Sequence, residues 1–85
     1  AVDRLVRVPI SPLMRAALID FTANLGEGNL RRSTLLRKLN AGDTAGACDE
    51  LRRWVYDNGR ELKGLVARRE VERLLCLNKL EESRP

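Results

Sequence analysis

Residues 11–26, SPLMRAALIDFTANLG, constrain the fold of this chain more than any other stretch. Ser11 offers a side-chain oxygen to an orphan backbone N–H, and Pro12 suits the first helical position, where its missing N–H would have had no partner. Met14, Ala17, Leu18, Phe21 and Leu25 then follow at i, i+3, i+4, i+7 and i+11, with Ile19 widening the apolar stripe. A helix of this kind is stable only when other segments cover its stripe. Asn24 and Gly26 mark its far end, where scaffold is expected to give way to a working surface.

The flanking segments read as that cover. Residues 1–8 carry Val2, Leu5 and Val6 with no capping residue before them, so they read as the end of a helix cut on its N-terminal side. Pro9 pushes Val8 out of the helical region and makes a short joint. Gly26 and Gly28 end the organising helix, and residues 29–32 read as a polar loop. Leu35, Leu36 and Leu39 form the next apolar face, closed by Asn40-Ala41-Gly42. Asp43 caps a further helix bearing Ala45, Ala47, Cys48, Leu51, Trp54 and Val55 for packing, and Asp57-Asn58-Gly59 is a turn signal. A last helix is expected over residues 65–78, with Leu65, Val66, Val71, Leu74, Leu75 and Leu77 inward, Cys76 beside them, and Arg68, Arg69, Glu70, Glu72 and Arg73 toward solvent. Arg68 and Arg69 are spaced to pair with Glu72 there. No segment alternates with period two, so the fold class is all-α, in one small domain of 85 residues.

Several chemistries are excluded or weakened by composition. The chain has no histidine, which removes the usual base of a nucleophilic triad. Cys48 and Cys76 allow one disulfide, but their helical surroundings read as two buried free thiols, and two thiolates alone do not complete a zinc site. Neither metal nor cofactor is expected. Gly26-Glu27-Gly28 lacks the lysine motif of a phosphate loop. A net charge of +4, from 16 Lys plus Arg against 12 Asp plus Glu, favours anionic partners, yet the two signs interleave throughout. A nucleic-acid-binding helical domain therefore stays only as an alternative, resting on Arg31, Arg32, Arg37 and Lys38 around one turn. No apolar run is long enough for a membrane span. Among isolated carboxylates Glu27, between two glycines, is the best candidate for chemistry, ahead of Asp20, Asp57 and Glu61.

Taken together, FTANLG (21–26), STLLRKLNAGD (33–43), RRW (52–54) and GLVARREVERLLCL (64–77) closely resemble the phage-type lysozymes, the muramidase endolysins of glycoside hydrolase family 24. The resemblance is to the C-terminal lobe of that family and implies a compact lysozyme-like helical bundle. It implies three divisions: residues 1–8 as the end of a truncated interlobe helix, 9–78 as the lobe, and 79–85 as a frayed tail. On this reading the parent cleaves the β-1,4 bond between N-acetylmuramic acid and N-acetylglucosamine in bacterial peptidoglycan, in the service of cell-wall catabolism and cytolysis. The parent would be made in the host cytoplasm and released to the cell wall or periplasm. The chain itself would be the substrate-supporting half, inactive without an N-terminal catalytic lobe as its partner, and would hold no catalytic residue.

The resemblance carries substrate-binding roles to Asn24, Gly26, Glu27, Trp54, Arg52 and Arg68, and structural roles to Phe21, Leu25, Arg69 and Glu72. Arg52, Arg53, Arg68 and Arg69 are candidates to meet wall carboxylates, and Glu72 reads as an arginine partner. Ala23 stands where the family often has an aromatic. A standalone peptidoglycan-binding or protein-interaction module on the same fold is the other alternative.

Overall fold

The computed structural model describes residues 2–57 and 59–77. In chain order these form α1 (Val2–Leu5), α2 (Pro12–Leu25), α3 (Glu27–Arg32), α4 (Thr34–Asn40), α5 (Thr44–Glu50), a 3₁₀ turn (Leu51–Arg53), β1 (Tyr56–Asp57), β2 (Arg60–Glu61) and α6 (Lys63–Cys76). The bundle is almost entirely helical, as the periodicity predicts. The expected frayed tail 79–85, the helix end at Asn78, and Asn58 of the turn lie outside the described residues.

α2 starts where the sequence places it, because the Ser11 hydroxyl oxygen accepts from the Met14 N–H at 3.0 Å. Met14, Ala17, Leu18 and Phe21 are buried along its inner face, against α6 on one side and α1 and α3 on the others. Ile19 stays 44% exposed, so the buried stripe is narrower than expected. Each enclosed Leu or Phe contributes roughly 1.5–3 kcal/mol relative to exposure. α2 is therefore the element whose loss would dissolve the core.

Gly26 ends α2 with φ +94°, a region that favours glycine, and its N–H returns to the Thr22 carbonyl at 2.8 Å. The chain then enters α3 at once. The expected polar loop over residues 29–32 is thus a helix, with Gly28 inside it and Leu30 buried in the core. Ser33 joins α3 to α4: its hydroxyl donates to the Leu30 carbonyl at 2.7 Å and accepts from the Leu36 N–H at 3.1 Å. Leu35, Leu36 and Leu39 complete the core, and Asp43 caps α5 by accepting from Gly46 at 3.0 Å.

Three further expectations are corrected. First, the turn after Trp54 carries a two-stranded antiparallel hairpin, Tyr56 opposite Glu61 and Asp57 opposite Arg60, too short to show alternation in sequence. Second, Cys48 and Cys76 are bonded rather than free, with Cα atoms 5.6 Å apart, because α5 and the last turn of α6 pack side by side. Third, α6 begins earlier than residue 65 and is rotated about its axis relative to the expected face. Cys76 is buried as expected, but Arg69 and Glu72 are buried too while Val71 is 53% exposed. The Arg69–Glu72 pair forms at 2.9 Å, but Arg68 leaves Glu72 and pairs with Asp20 of α2 at 2.9 Å.

α1 is held at both ends of the chain's first helical region. Arg15 of α2 grips Asp3 through two hydrogen bonds of 3.0 and 2.8 Å. Asn40, at the end of α4, donates to the Leu5 carbonyl at 3.0 Å and accepts from the Arg7 N–H at 2.7 Å. That clamp fixes the joint before α2, and its long sequence separation hid it from local reading.

Candidate functional site

The far end of α2 and the stretch around Trp54 converge on one enclosed group, the Phe21 ring. Trp54 meets it edge-on with centroids 5.2 Å apart at 85°, and the Arg69 guanidinium lies 5.6 Å from its centroid. Arg69 is wholly enclosed, and its Nη2 donates to the Asn24 Oδ1 at 2.7 Å. Asn24 itself is exposed on the last turn of α2, next to the exposed Gly26. Trp54, Phe21, Arg69 and Asn24 thus form a continuous chain of contacts from the 3₁₀ turn to the α2–α3 corner. Leu25 is half-buried beside it, and its carbonyl accepts from the Asn29 amide at 2.6 Å.

A buried carboxyl group sits behind this chain. Glu72 is 1% exposed, and among the described residues neither of its oxygens has an aligned donor, while Arg69 leaves Nε and Nη1 without aligned partners. Burial pushes the Glu72 carboxyl up to about 8, a hydrogen bond to Asp20 adds to the rise, and the Arg69 charge opposes it. The same hydrogen bond, followed by that from Arg68, holds Asp20 below the usual carboxylate range. Glu72 is thus enclosed, at 1% exposure, with its Oε1 2.9 Å from Arg69 Nε.

The remaining candidates are placed apart from one another. Glu27 opens α3, is drawn toward α1 by an ion pair with Arg4, and pairs within α3 with Arg31 at 3.5 Å. Arg52 pairs with Glu70 at 2.7 Å and Arg68 with Asp20, both at the surface of α6. Such exposed pairs are screened by solvent and hold their charges only weakly. Arg53 sits 3.4 Å from Glu50. Arg69, expected among the arginines able to meet wall carboxylates, is fully buried and cannot do so. Trp54 borders a cavity of about 290 Å³ with Arg32, Ser33, Thr34, Glu50 and Arg53. Local sequence reasoning missed Glu50, which is 6% exposed and neutralised by Lys38 at 3.2 Å as well as Arg53. The i,i+3 spacing of Glu50 and Arg53 was the only local signal. Among the described residues no cluster of three or more acidic, cysteine or histidine side chains is arranged to hold a metal.

Comparison with known proteins places this architecture. The sequence model of the Phage lysozyme family matches residues 1–72. The chain belongs to the phage lysozyme family. Among curated relatives, the SAR-endolysin of Bacteriophage PS119 is 57% identical over 72 residues, covering 85% of this chain and 43% of that protein. The SAR-endolysin of Escherichia phage Mu is 56% identical over 72 residues, with 85% and 42% covered. The endolysin of Bacillus phage B103 is 43% identical over 76 residues, with 89% and 29% covered. The chain therefore spans less than half the length of these phage lysozyme relatives.

Membership corrects the narrower reading of the resemblance. The chain was expected to be a C-terminal lobe only, inactive and dependent on an absent N-terminal catalytic lobe as its partner. The phage lysozyme match instead runs as one stretch over residues 1–72 of this chain and takes in the segment read as a severed connector. It overturns the lobe-only assignment, the missing-lobe partner and the expected inactivity. The alternatives of a standalone interaction module and of a nucleic-acid-binding domain give way to it too. Among the described residues no helix is long and apolar enough to cross a membrane.

Proposed function

We propose that the protein is a peptidoglycan-hydrolysing muramidase that cleaves the β-1,4 bond between N-acetylmuramic acid and N-acetylglucosamine, acting at the bacterial cell wall or periplasm after synthesis in a host cytoplasm. The observation that carries this reading is the phage lysozyme match over residues 1–72, together with relatives that are themselves called endolysins. Asn24, Gly26, Glu27, Trp54, Arg52 and Arg68 are the proposed wall contacts. Phe21, Leu25, Arg69 and Glu72 hold them in place. Different features support each: Asn24 and Gly26 offer polar groups at an exposed helix end, Glu27 a carboxylate shared with Arg4 and Arg31, Trp54 an aromatic edge beside a cavity, and Arg52 and Arg68 charges held by surface pairs.

Glycoside hydrolysis needs a proton donor and a second carboxylate flanking the bond. Glu72 is enclosed and Glu27 is tied to two guanidinium groups, so neither is assigned that role. The test is incubation of the protein carrying this chain with purified peptidoglycan, followed by analysis of the soluble fragments. New reducing ends on N-acetylmuramic acid are expected. Release of peptides alone, or of reducing ends on N-acetylglucosamine, would refute the assignment.

A further inference from the structure

The contact between Arg69 and Asn24 does more than bury a charge. A guanidinium carries only N–H donors, so the Asn24 atom 2.7 Å from Arg69 Nη2 must be the carbonyl oxygen. The usual ambiguity between the two ends of an asparagine amide is removed by chemistry. Arg69 has little freedom to release that oxygen. It is fully enclosed, it lies against the Phe21 ring, and Glu72 Oε1 is 2.9 Å from its Nε. Asn24 is exposed, and among the described residues its Nδ2 has no acceptor.

We propose that Arg69 is a positioning residue that locks the Asn24 amide with its oxygen inward, so that Asn24 presents only N–H donors to a ligand and selects an oxygen acceptor, an amide carbonyl or a carboxylate. This rests on the reading of the α2 end as a wall-contact surface. In peptidoglycan the acceptor has two sources, the acetamido carbonyls of the glycan and the carbonyl and carboxylate groups of the stem peptides. An unlocked asparagine would serve donors and acceptors alike by flipping. The locked one discriminates, because a ligand donor placed at Nδ2 would face another donor.

Two arms of one experiment test the lock and its use separately. The first follows the Asn24 side-chain NH₂ signals by ¹⁵N–¹H NMR in the wild type and in Arg69→Lys, whose single ammonium cannot reproduce the planar fork. A clear displacement of those signals, with the remaining side-chain amides unmoved, is expected. Unchanged Asn24 signals would overturn the proposal. The second measures binding of wild type, Asn24→Asp and Asn24→Ala to intact peptidoglycan and to glycan strands stripped of stem peptides. Asn24→Asp keeps an oxygen for Arg69 but has no donor, so it is expected to retain the wild-type melting temperature while binding on the order of tenfold more weakly. A loss on both polymers identifies the acetamido carbonyl, and a loss on the intact polymer alone identifies the stem peptide. Wild-type binding by Asn24→Asp on both polymers would overturn the proposal. If the wild type binds neither polymer, the wall-contact reading of this surface fails, and with it the proposed selection, whereas the lock itself is still judged by the NMR arm.

Discussion

Reducing the Cys48–Cys76 bond should lower the melting temperature of this protein steeply. The bond joins α5 to the last residue of α6 across a sequence separation of 28, and both cysteines are buried, at 0% and 3% exposure. Constraining a loop of that length in the unfolded chain removes entropy equivalent to roughly 3.5 kcal/mol at 25 °C. For a domain below a hundred residues, each kcal/mol moves the midpoint by about 4–8 °C, so a fall of roughly 15–25 °C is expected. The comparison is between oxidised protein and protein unfolded, reduced and refolded under a non-thiol reductant, followed by circular dichroism at 222 nm. This keeps both sulfur atoms in the core and so separates the cross-link from any change of volume. A thiol titration before and after each melt confirms the state. A fall of less than about 5 °C would refute the reasoning, since it would mean that α5 and α6 are held together equally well in the unlinked chain.

Three other perturbations follow from the same packing. Phe21→Ala should cost about 3–5 kcal/mol in denaturant titration, because it empties a fully enclosed site and removes the ring that Trp54 and Arg69 share; a cost below about 1 kcal/mol would contradict that placement. Ser33→Ala should cost about 1–2 kcal/mol, as one hydroxyl both ends α3 and caps α4, and an equal change at the exposed Thr44 should be near neutral by the same assay. For pH, the Glu72 carboxyl is raised in the folded protein from 4.5 to about 8, so its contribution is full below about pH 4.5 and is lost as pH rises through about 8. Asp20, shifted downward, acts in the opposite sense and contributes above its unfolded value of 3.8, so it shapes only the acid limb. Urea midpoints of the wild type should therefore decline between pH 5 and 9, and Glu72→Gln should flatten the decline; parallel pH profiles would refute it.

Much of the fold was legible along the chain because its signals are local. The Ser11 and Asp43 caps, the Gly26 stop and the leucines of α4 depend on neighbours within one or two helical turns, and the structure uses each as the spacing predicts. α3 reads as a loop in sequence for the converse reason. Its six residues include one glycine and two arginines, and only the burial of Leu30 against the core makes the helix worthwhile. The site divided along the same line. Asn24, Gly26 and Trp54 are carried by motifs, but their connection through Phe21 and Arg69 joins residues as far as 45 apart in sequence. Asn40, clamping α1 from 35 residues away, left no local trace beyond a helix-ending residue.

By itself, then, the sequence determined that a capped, striped α2 would organise a helical bundle of the phage lysozyme kind. Hydrogen bonds at helix ends and the period of an apolar stripe are written in adjacent residues. The tertiary structure alone decided which face of α6 turns inward, that Cys48 would reach Cys76, and which end of the Asn24 amide faces out. Local pattern puts Val71 inside and Arg69 and Glu72 outside; the protein does the reverse. The reason is energetic. A guanidinium can leave water when an aromatic face, an asparagine oxygen and a carboxyl partner are brought to it together, and those partners come from two helices that meet only in the folded bundle.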